Sequence, residues 1–230
     1  MKSTSRSAED TARPRIVIVG AGYVGMYVAH HLQRKLSRKK AEITVIDPES
    51  YMTYQPFLPE TAAGNMEPRH VVVSLRRLLK RCELINARVT SVNHDERKVR
   101  FTSLAGEKRE MSYNILVMCL GSIVRTLPVP GLADFGISIQ TVGEAVWLRN
   151  HVLTQLDIAA STNDPKVRER ALTFMVVGGG YAGVETLAEL EDLSRTVTRY
   201  YTKNRWSKLQ PAELRWVLVE ATGRILPEVG

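Results

Sequence analysis

The sequence predicts an α/β fold in which a strand, a glycine turn, a long helix and a second strand occur twice. Three observations carry this. Arg15–Gly20 (RIVIVG) and Glu42–Asp47 (EITVID) are short β-branched runs without alternation, as expected of strands covered on both faces. Between them, GAGYVGMYVAHHLQRKL sets Ala21, Val24, Val28, Ala29 and Leu32 near helical spacing, with cations from Arg34 to Lys40 where the helix dipole favours them. From Leu172 the pattern returns as LTFMVVGGGYAGVETLAELEDL, followed by LRWVLVEATG (214–223). A strand–helix–strand unit makes its two strands parallel neighbours.

The intervening elements follow in order. Residues 48–69 form a long irregular segment, whose Tyr51, Tyr54 and Phe57 argue against disorder. Ser74–Arg81 is expected as a short basic helix. Alternation from Glu83 to Thr102, broken near His94–Arg97, predicts antiparallel strands, and a further turn lies at Ala105–Glu107. Asn114–Gly121 (NILVMCLG) is a buried-type strand, and LPVPG (127–131) is a connector. Thr141 and Glu144 have capping-box spacing and open a helix to about Ala160. STNDPK (161–166) is expected as a linker.

Composition narrows the class. A chain of 230 residues, 44% hydrophobic and 24% charged, is an ordinary globular composition for one or two domains. Its two cysteines, Cys82 and Cys119, support neither a disulfide scaffold nor a four-cysteine zinc site, and point to a reducing compartment. No apolar run approaches the length of a membrane span. Residues 1–14 are expected as a disordered tail, and secretion is not expected. The net charge of +8 bears on association rather than fold. The basic run Arg76, Arg77, Lys80 and Arg81 is either a solvated face or a contact for anionic lipid. His30 and His31 are expected on a helix surface, with no metal site. Tyr200, Tyr201 and Trp206 are expected in helix packing.

The glycine turns carry the chemistry. Gly20-Ala21-Gly22-Tyr23-Val24-Gly25 matches G-x-G-x-x-G between a strand and a helix. In that motif the first glycine permits a tight turn, the second lets a pyrophosphate approach the backbone, and the third allows close helix–strand packing. Amides at the helix start face the anion. Asp47, at the end of the next strand, is placed to accept hydrogen bonds from a ribose diol. Gly178, Gly180, Tyr181, Ala182 and Gly183 repeat the device, and Glu220 ends its second strand. A carboxylate there favours a free 2′-hydroxyl, hence NADH over NADPH, with Arg224 nearby as a counterweight. Leu187 stands where the first helix has the smaller Ala29. Two such modules in one chain point to a flavoprotein that takes hydride from a nicotinamide.

The segments IVIVGAGYVG, FMVVGGGYAGVETLAEL, YNILVMCLGS and WVLVEATGRILP resemble the flavoproteins with two dinucleotide folds. Within them, the chain is most similar to type II NADH dehydrogenases, the single-chain, non-proton-pumping NADH:quinone oxidoreductases. The resemblance runs from about Arg15 to the last residue. It implies a Rossmann-like FAD-binding domain over 15–140, a connecting helix and linker over 141–171, and the start of a Rossmann-like NAD-binding domain over 172–230. FAD would lie on the first loop, against Asp47, Pro48, Val89, Gly121 and Ser122; YQPFLPETAAG (54–64) would add Gln55, Pro56 and Leu58. NADH would lie on the second loop, with Glu220 and Ala221. Glu185 and Glu189 match acidic positions on the helix facing the nicotinamide and flavin, and are the candidate catalytic residues. CLGS departs from the family's A-T-G, with Cys119 and Leu120 in place of Ala and Thr.

The implied partners are NADH and a quinone, with no nucleic acid and no metal. The expected location is cytoplasmic. A homodimer is left open, as is peripheral attachment to the inner face of the cell membrane through a C-terminal region of the family not contained in these residues. Only a strand, a helix and a strand of the second module are present, so FMVV and WVLV are expected to be partly bare, and the chain alone is expected to bind FAD poorly and reduce little quinone. No close cysteine pair lies in 48–70, which argues against a disulfide reductase. The alternatives are a ferredoxin or rubredoxin reductase and a noncatalytic nucleotide-binding remnant.

Overall fold

The computed structural model describes residues 13–123, 128–204, 209–227 and 229. Most of the expected tail, Leu127 of the expected connector, and Trp206 lie outside the described residues. The elements are β1 (Arg15–Val19), α1 (Tyr23–Lys35), β2 (Glu42–Asp47), β3 (Tyr51–Thr53), α2 (Leu58–Ala63), β4 (Val72–Ser74), α3 (Leu75–Leu78) and β5 (Glu83–Asn93). They continue as β6 (Lys98–Ser103), β7 (Lys108–Ser112), β8 (Ile115–Met118), α4 (Leu132–Phe135), α5 (Val142–Ser161) and α6 (Pro165–Ala171). The last are β9 (Thr173–Val177), α7 (Tyr181–Lys203) and β10 (Arg215–Val219). The chain divides into two compact units, residues 1–53 with 72–123, and residues 54–71 with 124–230.

The first unit is built on a six-stranded sheet in the order β7-β6-β5-β2-β1-β8. β5, β2, β1 and β8 run parallel, with Val17 opposite Thr44 and Leu116. Because successive side chains in a strand point to opposite faces, β1 feeds two cores. Ile16 and Ile18 join Ile43, Val45 and the α1 residues Met26 and Ala29 on one face. Val17 and Val19 join Ile46, Val99 and Phe101 on the other. This is why RIVIV lacks alternation: burying each such side chain is worth roughly 1.5–3 kcal/mol on either face.

The second face is covered by antiparallel strands, through β5. Glu83–Asn86 pair parallel with β2, whereas Ala87–Asn93 pair antiparallel with β6, and a register shift between Val89 and Ser91 marks a bulge. Bulges bend and twist a strand, which carries β6 and β7 over the parallel core. The turns fall where glycine-like backbone is needed: Arg97 has φ 51° and Gly106 has φ 82°.

In the second unit α2 packs against α5 and α7. Leu58 and Ala62 are fully buried, and Gly64 ends α2 in the left-handed conformation, with Asn65 N and Met66 N both donating to Glu60 O. The capping box opening α5 is present: Glu144 N donates to Thr141 Oγ1 (3.2 Å) and Thr141 N to Glu144 Oε2 (2.8 Å). β9 and β10 form a parallel pair, with Phe174 stacked on Trp216 at 4.5 Å. Met175 (64% exposed), Val177 and Val219 stand bare, as the apolar runs of a two-stranded sheet predict.

Several expectations are corrected. Residues 48–69 are not irregular: they hold β3, two 3-10 turns and α2, whose apolar side is buried by residues remote in sequence. The basic helix expected over Ser74–Arg81 is one turn, Leu75–Leu78, because Leu75 and Leu79 are core and the chain must turn into β5. The strand before Gly121 is half-exposed, with Ile115 and Met118 about half accessible, since β8 is the sheet edge. Cys119 is accordingly half-buried. The expected linker 161–166 shrinks to three residues, because Asp164 caps α6 through Lys166 N (2.8 Å) and Pro165 opens it. His30 is half-buried, its Nδ1 3.2 Å from Gln33 Nε2.

Candidate functional site

Two strand–loop–helix junctions hold the candidate site residues, and they share several contacts. In the first, Gly20 has φ +93°, and a Cβ there would lie 2.1 Å from Cys119 O. A Cβ on Gly25 would lie 1.8 Å from Gly20 O. These two positions admit no side chain, because backbone fills the space. Gly22 differs: a Cβ there meets nothing within 4 Å, so its lack of a side chain leaves an open surface at the N-cap of α1.

The second junction repeats this in part, since a Cβ on Gly178 meets nothing within 4 Å. Gly178 has φ +111°, a Cβ on Gly183 would lie 2.0 Å from Gly178 O, and Gly180 is the N-cap of α7. The first intrahelical bonds are Met26 N to Gly22 O and Val184 N to Gly180 O. The amides of Val24, Gly25, Ala182 and Gly183 precede them, at the positive ends of the helices. Neither helix carries an acidic residue in its first turn, a common stabiliser there that would repel an anion.

The terminal acids are tied to the loops. Ala21 N donates to Asp47 Oδ2 at 2.6 Å, and Glu49 N to Asp47 Oδ1 at 2.8 Å. Gly179 N donates to Glu220 Oε2 at 2.6 Å, and Thr222 N to Glu220 Oε1 at 2.9 Å. Each carboxylate is therefore gripped by a loop amide and by the amide two residues after itself. Every oxygen keeps further accepting capacity, enough for a vicinal diol. Hydrogen bonds from Thr222 N and Gly179 N hold Glu220 below the usual carboxylate range. Arg224 donates to Pro227 O at 2.9 Å.

The other expected residues are distributed as follows. Tyr23 is half-buried and Val24 exposed on α1; Pro48 follows Asp47 and ends β2. Val89 lies at the bulge of β5 and packs on the second core. Gly121 (φ +69°) and Ser122 are exposed after β8. In the second unit Tyr181, Ala182 and Ala221 are exposed. Gln55 Nε2 donates to Gln140 O at 3.2 Å, Pro56 lies in the turn before α2, and Leu58 is fully buried. Glu185 and Glu189 share one face of α7; Glu185 is exposed and Glu189 half-buried.

Two residues of this arrangement escaped the sequence reading. Gly179 lies so close to Glu220 that a Cβ would sit 3.0 Å from Oε2 and 3.2 Å from its Cβ. Asn65 Nδ2 donates to Glu189 Oε2 at 2.8 Å, joining the loop after α2 to α7. A run of three glycines was a signal for the first, whereas the second depends on helix packing. No group of three potential metal ligands occurs among the described residues, and both cysteines are free. Among the described residues no helix is long and apolar enough to cross a membrane.

Comparison with known proteins agrees with this construction. The external alternative NADH-ubiquinone oxidoreductase of Yarrowia lipolytica is 26% identical over 95% of this chain and 38% of its own length. The Mycobacterium tuberculosis type II NADH:quinone oxidoreductase NdhA is 28% identical over 99% of this chain and 48% of its own. The chain thus spans half or less of these curated relatives. Among solved structures, NDH2 from Plasmodium falciparum in complex with RYL-552 superposes with a TM-score of 0.83 over 94% of this chain and 43% of that one, at 22% identity. These agreements extend the fold, a Rossmann-like domain followed by the start of a second, to nearly the whole chain. Since residues 14–230 match the family itself, the chain belongs to the pyridine nucleotide-disulphide oxidoreductases.

Proposed function

We propose that this chain provides the flavin- and nicotinamide-binding modules of a type II NADH:quinone oxidoreductase, which passes hydride from NADH to FAD and electrons on to a membrane quinone. The observation that carries this reading is the duplicated grip of a glycine-loop amide on a strand-end carboxylate, Ala21 on Asp47 and Gly179 on Glu220. The names of the relatives supply the acceptor, and a structure of Plasmodium falciparum NDH2 in complex with NADH is among the structural neighbours (TM-score 0.82).

The first loop fits FAD. Gly22 opens the α1 N-terminus to a pyrophosphate, the amides of Val24 and Gly25 donate to it, and Asp47 accepts from the adenosine ribose. Gly121 and Ser122 border the same junction, whose floor is formed by Cys119. The second loop fits NADH in the same way through Gly180, Ala182, Gly183 and Glu220. Glu220 is also the selectivity element: its charge repels a 2′-phosphate. Bound FAD supplies the hydride-accepting ring. By the family resemblance Gln55 and Pro56 would be flavin neighbours, and Glu185 and Glu189 would act near the nicotinamide, with Glu189 held by Asn65. The flavin part runs over 15–140, the connector over 141–171 and the nicotinamide part over 172–230. The same proposal includes peripheral contact of the whole enzyme with the inner face of the cell membrane, and a homodimer.

Equilibrium titration of the purified chain with NADH and NADPH tests the reading. The expected result is NADH binding at least tenfold tighter, lost in Glu220→Gln. Equal affinity for both would overturn it.

A further inference from the structure

An arginine-lined pocket lies at the opposite end of the first sheet from Asp47. An open pocket of about 280 Å³ there is lined by Arg13, Arg38, Arg81, Glu42, Glu83, Thr44 and Cys82, with Ala41 and Ile43 as apolar walls. It sits where β2 and β5 begin, about 16 Å along β2 from Asp47 at the usual rise per residue. Ligands of open α/β sheets ordinarily bind at the carboxyl ends of the strands, so this pocket does not serve the dinucleotide.

The three arginines come from three segments, before β1, between α1 and β2, and between α3 and β5. Each is fixed by a backbone carbonyl: Arg13 Nη1 donates to Arg38 O (3.0 Å), Arg38 Nη2 to Lys80 O (2.9 Å) and Arg81 Nη2 to Leu36 O (2.8 Å). A guanidinium has five donors in a rigid fork. In Arg38 and Arg81, anchoring one donor leaves others for a ligand and removes part of the ordering cost of binding.

Charge sets the ligand class. Glu42 is matched by Arg13 (3.4 Å) and Arg15 (3.1 Å); Glu83 accepts from Thr44 Oγ1 at 3.0 Å and keeps its charge, so Arg38 and Arg81 together leave the lining with a net positive charge. Among the described residues neither Arg38 nor Arg81 has an ion-pair partner, and the adjoining Lys39, Lys40, Arg77 and Lys80 are exposed. Burial pushes the Cys82 thiol up to about 11 despite Arg81 and Arg38 beside it, so the sulfur adds no negative charge at neutral pH. The volume exceeds that of a single oxyanion. We propose that this pocket binds a phosphate-bearing ligand, with Arg38 and Arg81 clamping the phosphoryl oxygens. The same chemistry is offered by a free pyrophosphate or phosphorylated metabolite and by a phosphomonoester lipid headgroup. The inference is independent of the proposed function.

Cys82 reports on the pocket, and Cys119 on the first glycine loop. The test is the rate of N-ethylmaleimide modification at each cysteine, read by peptide mass spectrometry on the full chain, with inorganic pyrophosphate as probe. Pyrophosphate is expected to slow Cys82 at least fivefold, and the Arg38→Gln/Arg81→Gln variant to abolish this. A parallel arm measures co-flotation with phosphatidylcholine vesicles containing phosphatidic acid. Flotation lost in the double variant assigns the headgroup source; protection by pyrophosphate without flotation assigns the soluble one. Protection unchanged in the variant, or neither protection nor flotation in the wild type, overturns the proposal. If near-UV circular dichroism shows the double variant misfolded, Arg81→Lys replaces it. That variant keeps the charge but loses the fork, so protection should weaken at least threefold; unchanged protection overturns the proposal.

Discussion

Gly179 N donates to Glu220 Oε2 at 2.6 Å, and the α-carbon of Gly179 faces the Glu220 side chain so closely that a Cβ there, 3.0 Å from Oε2, would force that side chain to shift. The middle glycine of GGG is thus a seat for the carboxylate. Gly179→Ala should push Glu220 off its amide without unfolding the protein, because the displaced group is exposed at the loop. The expected outcome is at least a tenfold loss of NADH affinity, about 1.4 kcal/mol, with a nearly unchanged melting temperature. Calorimetric titration beside a thermal melt checks both.

The same grip sets a pH dependence. Hydrogen bonds from Thr222 N and Gly179 N lower the Glu220 pKa from 4.5. A depressed carboxylate contributes stability that is present above its unfolded value and lost as pH falls through its folded value. NADH affinity should therefore stay constant from pH 8 to 5 and fall only below 4.5, as Glu220 takes up a proton. Dissociation constants for NADH, which carries no 2′-phosphate of its own to titrate, decide it across this range; a midpoint near 6 would exclude Glu220 as the ribose-binding group.

The glycines of the first loop should separate binding from stability. Gly25→Ala drives a Cβ into Gly20 O and should destabilise the unit by more than about 2 kcal/mol, as an overpacked backbone contact does. Gly22→Ala meets open space and should leave the melting temperature within a degree or two, yet obstruct the approach of pyrophosphate. Thermal melts of both variants, with FAD binding by fluorescence, give the contrast. Equal destabilisation would refute it.

What the sequence made legible was local. RIVIVG and EITVID declare buried parallel strands by β-branching alone, and Thr141 with Glu144 declares a helix start through one capping box. What it hid was set by distant packing. The apolar side of α2 reads as loop because its partners, α5 and α7, lie far along the chain. NILVM reads as a central strand, yet β8 is at the edge, and strand order is not encoded in the strand's own composition. Asp164-Pro165 was a legible helix start, passed over within a polar run. At the candidate site the glycines and acids were readable as types; the seat of Glu220 on Gly179 and the tie from Asn65 to Glu189 required the fold.

That tie can be tested by charge. Asn65 Nδ2 reaches half-buried Glu189 at 2.8 Å. Asn65→Asp places two carboxylates together, and like charges at that distance disfavour ionisation of both. The variant should melt about 2–4 °C lower at pH 7.5, corresponding to roughly 1 kcal/mol, and recover most of this at pH 4, where one carboxyl is protonated. Equal loss at both pH values would mean a packing defect instead.

Tyr201 should govern the alkaline limit of the second unit. Its hydroxyl donates to Asp157, linking α7 to α5. Burial first, and then the Asp157 carboxylate, push its pKa up from 10.0 to about 12. A raised tyrosine favours the neutral form in the folded state, so its contribution is complete below pH 10 and is lost as pH rises towards 12. Absorbance at the tyrosinate band should show one late-titrating group that disappears in Tyr201→Phe. The variant should also lose stability at pH 8, by about 1 kcal/mol for the broken bond to a charged acceptor. Above pH 11 its melting temperature should approach that of the wild type, because there the wild-type bond is failing as well. A wild-type excess that persists undiminished at that pH would show that packing of the ring, not the proton on its oxygen, holds the two helices together.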